Sequence, residues 1–171
     1  MTVLLSIGAA AALLLAAGAA NPPYAGPLRW HAASPAGWAS LPASAGPARL
    51  EAPAAPPGLP FTLEISARAA SSSGFWGVWL DTLGAVWQAL VSADGYLSVG
   101  TDAGPQWFEF MHLLPAAPNR LYLHVDGDGG AVLRVNDEIA WTGALAAPLR
   151  WGVVSAGGEP AVWDFIRLYH R

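Results

Sequence analysis

The chain has 171 residues, a net charge of −4 and no cysteine, and only 12% of its residues are charged. This length suits one domain with a sizeable core. The acidic balance and the lack of a basic run argue against a nucleic-acid binder, and the absence of cysteine excludes disulfides, thiolate metal sites and thiol nucleophiles.

The first segment, Thr2–Ala20, is uncharged and apolar, and it is predicted to form a helix outside the following domain. As a signal peptide it offers a small-x-small cleavage site at Ala17-Gly18-Ala19, although no Lys or Arg precedes the apolar run. As a membrane anchor it has about the 20 residues that span a bilayer. Both interpretations place the rest of the chain in a secreted form or on the extracytoplasmic face of a membrane.

The next segment, Asn21–Pro60, contains ten of the fifteen prolines. Residues 21–27 are predicted to be a proline-rich tether, and the folded domain is predicted to span residues 28–171. Two short strands are expected near Leu28–Ala32 and Ala48–Ala52, at sheet edges, where proline costs no ladder hydrogen bond.

From Phe61 onward the hydrophobic pattern has a period of two. Phe61, Leu63 and Ile65 alternate with polar residues that include Glu64 and Arg68. Because alternate side chains of a strand point to opposite faces, the apolar set is predicted to be buried and Glu64 and Arg68 to be exposed.

Short strands separated by Gly, Pro and Asp turns continue to the end of the chain, without a helical stripe after residue 20. This pattern predicts an all-β sandwich of antiparallel strands. The remaining strands are predicted at Phe75–Asp81, Ala85–Ser92, Tyr96–Gly100, Gln106–Leu113, Leu121–Asp126, Ala131–Val135, Glu138–Trp141, Leu149–Ser155 and Ala161–His170.

A series of sequence phrases carries a family resemblance in order and spacing. They are SPAGW at Ser34–Trp38, FTLEISAR at Phe61–Arg68, FWGVWL at Phe75–Leu80, ALVSADGYLSV at Ala89–Val99, NRLYLHVDGDGGAVLRVND at Asn119–Asp137, LRWGVVS at Leu149–Ser155 and VWDFIRLY at Val162–Tyr169.

Together these phrases resemble the concanavalin A-like lectin/glucanase superfamily over Leu28–Arg171. They are most similar to the laminin-G-like and 3-keto-disaccharide hydrolase-type modules of bacterial exported proteins. The resemblance implies a two-sheet antiparallel jelly-roll sandwich. It leaves function open, because the superfamily includes glycosidases, sugar-binding modules and adhesive modules.

Catalytic patterns are missing from the sequence. The glucanase phrase Glu-x-Asp-x-x-Glu does not occur, and Glu64 and Glu109 stand alone on their predicted strands. No Gly-x-Ser-x-Gly elbow occurs, and the four histidines lack zinc-ligand spacing. His124 is expected to be an outward-facing strand residue. We therefore expect no enzyme activity, no catalytic residues and no zinc site.

Asp126 and Asp128 are weak candidates for a calcium site, since calcium binds carboxylates and turn carbonyls. A plain hairpin turn is the favoured interpretation of these residues. No cofactor is therefore expected, with calcium as the one alternative.

Nine tryptophans are many for one domain to bury, because each indole N–H requires a partner. Some should be partly exposed and could stack on sugar rings, although core packing is favoured for any single one. The candidate carbohydrate-binding residues are Trp79, Trp87, Trp107, His112, Arg134 and Trp141.

The favoured function is therefore carbohydrate or glycoconjugate binding at the cell surface by a non-catalytic, exported or membrane-tethered module. The expected partner is a glycan or a cell-surface protein. Two alternatives stay open, a structural or accessory subunit of an envelope complex and a divergent glycosidase-type enzyme. A Trp-lined face with polar groups would favour carbohydrate binding. A flat apolar patch would favour a subunit interface. Two carboxylates in one cleft would favour the enzyme.

Overall fold

The computed structural model describes residues 20–33, 47–101 and 106–171. In these ranges the chain forms two six-stranded antiparallel sheets that pack as a sandwich. Sheet I contains, in spatial order, β1 (Leu28–Ala33), β12 (Val162–His170), β3 (Phe61–Arg68), β8 (Asn119–Val125), β9 (Gly130–Val135) and β10 (Glu138–Ala144). Sheet II contains β2 (Ala48–Glu51), β11 (Arg150–Ala156), β4 (Phe75–Thr82), β5 (Ala85–Ser92), β6 (Tyr96–Thr101) and β7 (Phe108–Glu109).

The all-β two-sheet sandwich predicted from the sequence is confirmed. The two proline-flanked strands lie at sheet edges as expected, β1 at one edge of sheet I and β2 at one edge of sheet II. The strand predicted at Gln106–Leu113 is wrong in extent, because only Phe108 and Glu109 are in strand conformation. The backbone N–H of Phe110 instead donates to the carbonyl of Gly95, and the backbone N–H of Leu113 donates to the carbonyl of Phe110. The chain therefore turns directly after β7.

The core lies between the sheets and follows the predicted period of two. On β3, Phe61, Leu63 and Ile65 are buried and face the opposite sheet, where Trp76 is likewise buried. Trp76 meets Trp163 edge-to-face at a centroid distance of 5.7 Å. Burying one such aliphatic or aromatic side chain contributes about 1.5–3 kcal/mol, so these alternating residues hold the sheets together.

Glu64 corrects the sequence prediction, because it is only 2% exposed while Arg68 is exposed as expected. Its carboxylate lies 2.7 Å from the Arg120 guanidinium and 3.5 Å from that of Arg167. β3 runs between β8 and β12, so its outward side chains are flanked by those of both neighbours. The Tyr24 hydroxyl, 3.4 Å from the carboxylate, covers Glu64 from outside the sheet.

Residues 21–27, predicted as a tether, lie on the outer face of sheet I. Tyr24 stacks on Tyr169 with ring centroids 4.0 Å apart. The Tyr122 hydroxyl donates to the carbonyl of Pro22. Burial raises the pKa of Tyr122 to about 12, so this phenol remains a donor at neutral pH. The segment therefore covers one side of the sandwich.

The apolar helix predicted at Thr2–Ala20 falls, except for Ala20, outside the described residues and stays a prediction. The three described ranges contain no helix that is long and apolar enough to cross a membrane.

Candidate functional site

The six candidate residues from the sequence do not form one site. Trp87 and Trp141 contact each other with ring centroids 5.3 Å apart, and Trp87 is only 4% exposed. Trp87 belongs to the core between the sheets, and Trp141 packs against that core. The Trp87 ring therefore presents no face to a ligand.

Arg134 is 2% exposed, on the outer face of sheet I. Its guanidinium donates to the backbone carbonyl of Asp137. Asn136 and Asp137 have positive φ angles of 50° and 72°, as a tight hairpin requires. Arg134 therefore supports the β9–β10 turn and does not offer its charge to a ligand.

Trp79 lies on the outer face of sheet II but is only 6% exposed. Its indole N–H donates to the carbonyl of Val153 at 3.1 Å, so the polar edge of the ring is used within the sheet. The ring belongs to a small apolar cluster on this face with Leu90 and Val154, against which Phe75 and Val86 pack. Trp79 is thus part of the apolar cluster against which Phe75 packs.

Among the six candidates, Trp107 lies beside Phe75 in an open cleft. It is 37% exposed, and its ring centroid is 5.5 Å from that of Phe75. Tyr96, 40% exposed, lines the same cleft. The aromatic cleft has a volume of about 470 Å³, and its described lining residues are Ser73, Gly74, Phe75, Ser92, Asp94, Tyr96 and Trp107.

The polar side of the aromatic cleft is built by the β5–β6 turn. The Ser92 hydroxyl donates to Asp94 Oδ1 at 2.5 Å and accepts the backbone N–H of Tyr96 at 2.9 Å. Gly95, with a φ of +94°, allows the chain to reverse between them. These contacts fix the backbone of Tyr96 and leave the exposed Asp94 carboxylate with free acceptor capacity.

A second cleft adjoins the aromatic cleft, since Ser73 and Phe75 line both. The glycine cleft has a volume of about 450 Å³ and is completed by Ala156, Gly157 and Gly158. Gly157 has a φ of +111°, and a Cβ there would lie 2.4 Å from the Cα of Gly74. The close approach of two loops therefore requires glycine at this position.

A third cleft, of about 480 Å³, contains His112 and two carboxylates, Glu109 and Glu138. We call it the acidic cleft. Phe110, Met111 and Ile139 complete its described lining. Glu109 and Glu138 are far apart in sequence, and β7 and β10, which carry them, are edge strands of different sheets. Sequence patterns within one strand could not predict this pairing.

The Asp126 carboxylate is used by its own turn. Its Oδ1 accepts the backbone N–H groups of Asp128 at 2.9 Å and Gly130 at 2.8 Å. Within the described ranges, no three or more His, Asp or Glu side chains come close enough to hold a metal ion. These hydrogen bonds agree with the hairpin interpretation of Asp126.

His124 is half-buried on the outer face of sheet I, where its Nδ1 lies 3.0 Å from the Thr62 hydroxyl. Thr62 also accepts the backbone N–H of Ala25, from the segment that covers this face. Burial lowers the pKa of His124 below its ordinary value of 6.5, and the charge of Asp126 opposes this shift.

The sequence reasoning identified Trp107 but missed its partners in the aromatic cleft, Phe75, Tyr96, Ser92 and Asp94. One signal was present in the sequence, since the Asp94-Gly95 turn is followed directly by an aromatic residue. A side chain at the first position of a strand after a turn lies at the rim of the sheet, where a ligand can reach it.

No protein-family model and no curated protein matches the sequence. Solved structures do match. The Caenorhabditis elegans galectin LEC-6 has a TM-score of 0.56 at 11% identity, over 82% of this chain and 96% of that chain. The carbohydrate recognition domain of Emp46p, in its metal-free form, has a TM-score of 0.55 at 14% identity, over 75% of this chain and 80% of that chain.

Sheep galectin-11, in complex with glycerol, matches with a TM-score of 0.50 at 15% identity, over 75% of this chain and 99% of that chain. At these identities the matches establish a shared fold. The matches show that this chain has the concanavalin A-like lectin/glucanase β-sandwich fold that the sequence phrases imply.

Proposed function

We propose that the protein is a non-catalytic module that binds carbohydrate in the aromatic cleft. One observation carries the proposal, namely that the partly exposed rings of Tyr96 and Trp107 line one cleft with the polar groups of Ser92 and Asp94. Aromatic faces provide apolar contact for the C–H faces of sugar rings, and a few fixed polar groups orient the hydroxyls.

The rings are also held in place before a ligand arrives. Phe75 packs against both Trp107 and the buried cluster around Trp79, and the Ser92 hydroxyl fixes the backbone of Tyr96. A site that is ordered in advance loses less conformational entropy on binding, which favours affinity.

Two further observations support the proposal. The matched structures include two galectins and a carbohydrate recognition domain, so the fold accommodates glycan binding in other proteins. The uncharged segment Thr2–Ala20 favours export or membrane attachment, which would place the module where cell-surface glycans occur.

A matched pair of variants tests the proposal. Trp107→Ala removes an aromatic ring that lines the cleft, whereas Phe108→Ala removes a neighbouring ring, 43% exposed, that does not line it. We expect the unaltered protein and Phe108→Ala to retain glycans on an array, and Trp107→Ala to lose at least about tenfold in affinity, or about 1.4 kcal/mol. Melting temperatures should confirm that all three proteins are folded.

Equal affinities for the two variants would contradict the proposed site. A broad array on which the folded protein retains no glycan would contradict the proposed function and favour a structural subunit that binds a protein partner.

The acidic cleft supports a second candidate function, a glycosidase, because Glu109 and Glu138 line it together. Glycoside hydrolysis uses two carboxyl groups about 5–9.5 Å apart. Both side chains are exposed, however, whereas a general acid is commonly sheltered from water. Glycan cleavage that Glu109→Gln or Glu138→Gln abolishes would establish this alternative, and it would overturn the non-catalytic proposal.

A further inference from the structure

We infer that the aromatic cleft and the glycine cleft form one groove that selects a linear, uncharged glycan chain. The inference rests on the proposed function and deepens it, because it specifies both the length and the charge of the ligand.

The length of the ligand follows from the continuity of the two clefts. Ser73 and Phe75 line both, so the space beside Trp107 continues past Phe75 to Gly157 and Gly158. Each cleft has a volume, about 470 and about 450 Å³, in the range of small-molecule sites. A monosaccharide on Trp107 would leave the glycine cleft unused, whereas a chain of several sugar units can extend into it.

The glycine loop keeps this second half of the groove open. Gly158 has a φ of +83°, and a Cβ added there would meet no atom within 4 Å. The side-chain space at this position is therefore empty, and an extended ligand can pass close to the backbone.

The preference for an uncharged ligand follows from the positions of the arginine side chains. Residues outside the described ranges include neither Lys nor Arg, so all eight arginines lie in the described part of the chain. None of them lines either cleft, and Asp94 is the one charged residue among the described lining residues. Carboxylated or sulfated sugars would therefore lack a charge-assisted partner and would be repelled by Asp94.

Three of the arginines form ion pairs outside the groove. Arg120 and Arg167 hold Glu64 on the outer face of sheet I, and Arg150 binds Asp81 at 2.6 Å. Arg49 lies on the outer face of sheet II, 6.0 Å from the centroid of the Trp79 ring, and is not among the described residues that line the groove.

Gly158→Asn tests the length of the groove, because asparagine tolerates a positive φ and its side chain would project into the glycine cleft. Gly84→Asn is a matched control, since Gly84 also has a positive φ, +96°, and a Cβ added there would also meet no atom within 4 Å, but Gly84 lines neither cleft. The probes are cello-, xylo- and manno-oligosaccharides, each as a disaccharide and a hexasaccharide, and a hexameric oligogalacturonate for the charge.

We expect one of the neutral hexasaccharides to bind at least about tenfold more tightly than its disaccharide, or about 1.4 kcal/mol. Gly158→Asn should remove this gain and leave disaccharide binding unchanged, and Gly84→Asn should retain it. Oligogalacturonate should bind more weakly than the neutral hexamers.

Equal affinity for the short and long neutral chains, or a gain that survives in Gly158→Asn, would overturn the extended groove while the proposed function stands. Oligogalacturonate binding as tight as that of the neutral chains would overturn the charge preference alone. If the folded protein retains no glycan of any kind, the proposed function fails and this inference fails with it.

Discussion

The indole ring of Trp107 and the phenyl ring of Phe75 lie 5.5 Å apart with an interplanar angle of 60°. Phe75 is the first residue of β4, and it packs on the cluster that contains the buried Trp79. Phe75 therefore connects the ring of Trp107, at the rim of the cleft, to the apolar cluster on the outer face of sheet II. This support orders a surface side chain that would otherwise be free to change rotamer.

Glu64→Ala is expected to lower the free energy of unfolding by about 1–3 kcal/mol, because it leaves the partly buried guanidinium groups of Arg120 and Arg167 without their acceptor. Arg120 and Arg167 are each about a third exposed and can regain water, which keeps the cost below that of a fully buried pair. Denaturant titration provides the measurement.

Glu138→Ala is the control for this experiment, since Glu138 is an exposed carboxylate on an edge strand and should change stability by no more than about 0.5 kcal/mol. Equal effects of the two substitutions would show that the ion pairs of Glu64 contribute nothing specific.

Ile65→Ala is expected to cost about 2–5 kcal/mol, because Ile65 is fully buried between the sheets and its truncation leaves a cavity. Ile139→Ala makes the same chemical change at a side chain that is 43% exposed, and it should cost far less. Thermal or denaturant unfolding of both variants measures the difference, and a larger loss for Ile139→Ala would contradict the placement of β3.

The pH dependence of stability should carry a contribution from His124. Burial lowers its pKa below 6.5 in the folded state, so the unfolded chain takes up a proton first as the pH falls. His124 therefore stabilises the fold fully above pH 6.5, and this contribution is lost progressively as the pH falls from 6.5 through the lowered pKa.

His124→Asn removes the titration while retaining a polar group near the Thr62 hydroxyl, which His124 contacts at 3.0 Å. The free energy of unfolding, measured above and below pH 6.5, should fall less on the acid side in this variant than in the unaltered protein. Identical acid-side losses would contradict the assignment of this contribution to His124.

Much of the fold could be predicted from local sequence, because strand alternation and Gly or Asn-Asp turns are properties of neighbouring residues. The hairpin that contains Asn136 and Asp137 and the edge positions of β1 and β2 are examples. The burial of Glu64 could not be predicted in this way. It depends on Arg120 and Arg167, which the sheet topology brings beside β3 from distant parts of the chain.

The site was predictable only in part for the same reason. Trp107 could be named only as one of several tryptophans on or near predicted strands, and its neighbours Phe75 and Tyr96 come from β4 and β6. Trp87 has the same side chain as Trp107, but it lies within β5 and faces the core, whereas Trp107 precedes β7 and is partly exposed.

Titration of the isotope-labelled protein with the glycan that it retains best, followed by NMR, tests the central claim most directly. The indole N–H signal of Trp107 should shift on binding, together with the backbone signals of Asp94 and Tyr96, while that of the core residue Trp87 should stay in place. Shifts confined to residues around Glu109 and Glu138, or no shift at any glycan concentration, would contradict carbohydrate binding in the aromatic cleft.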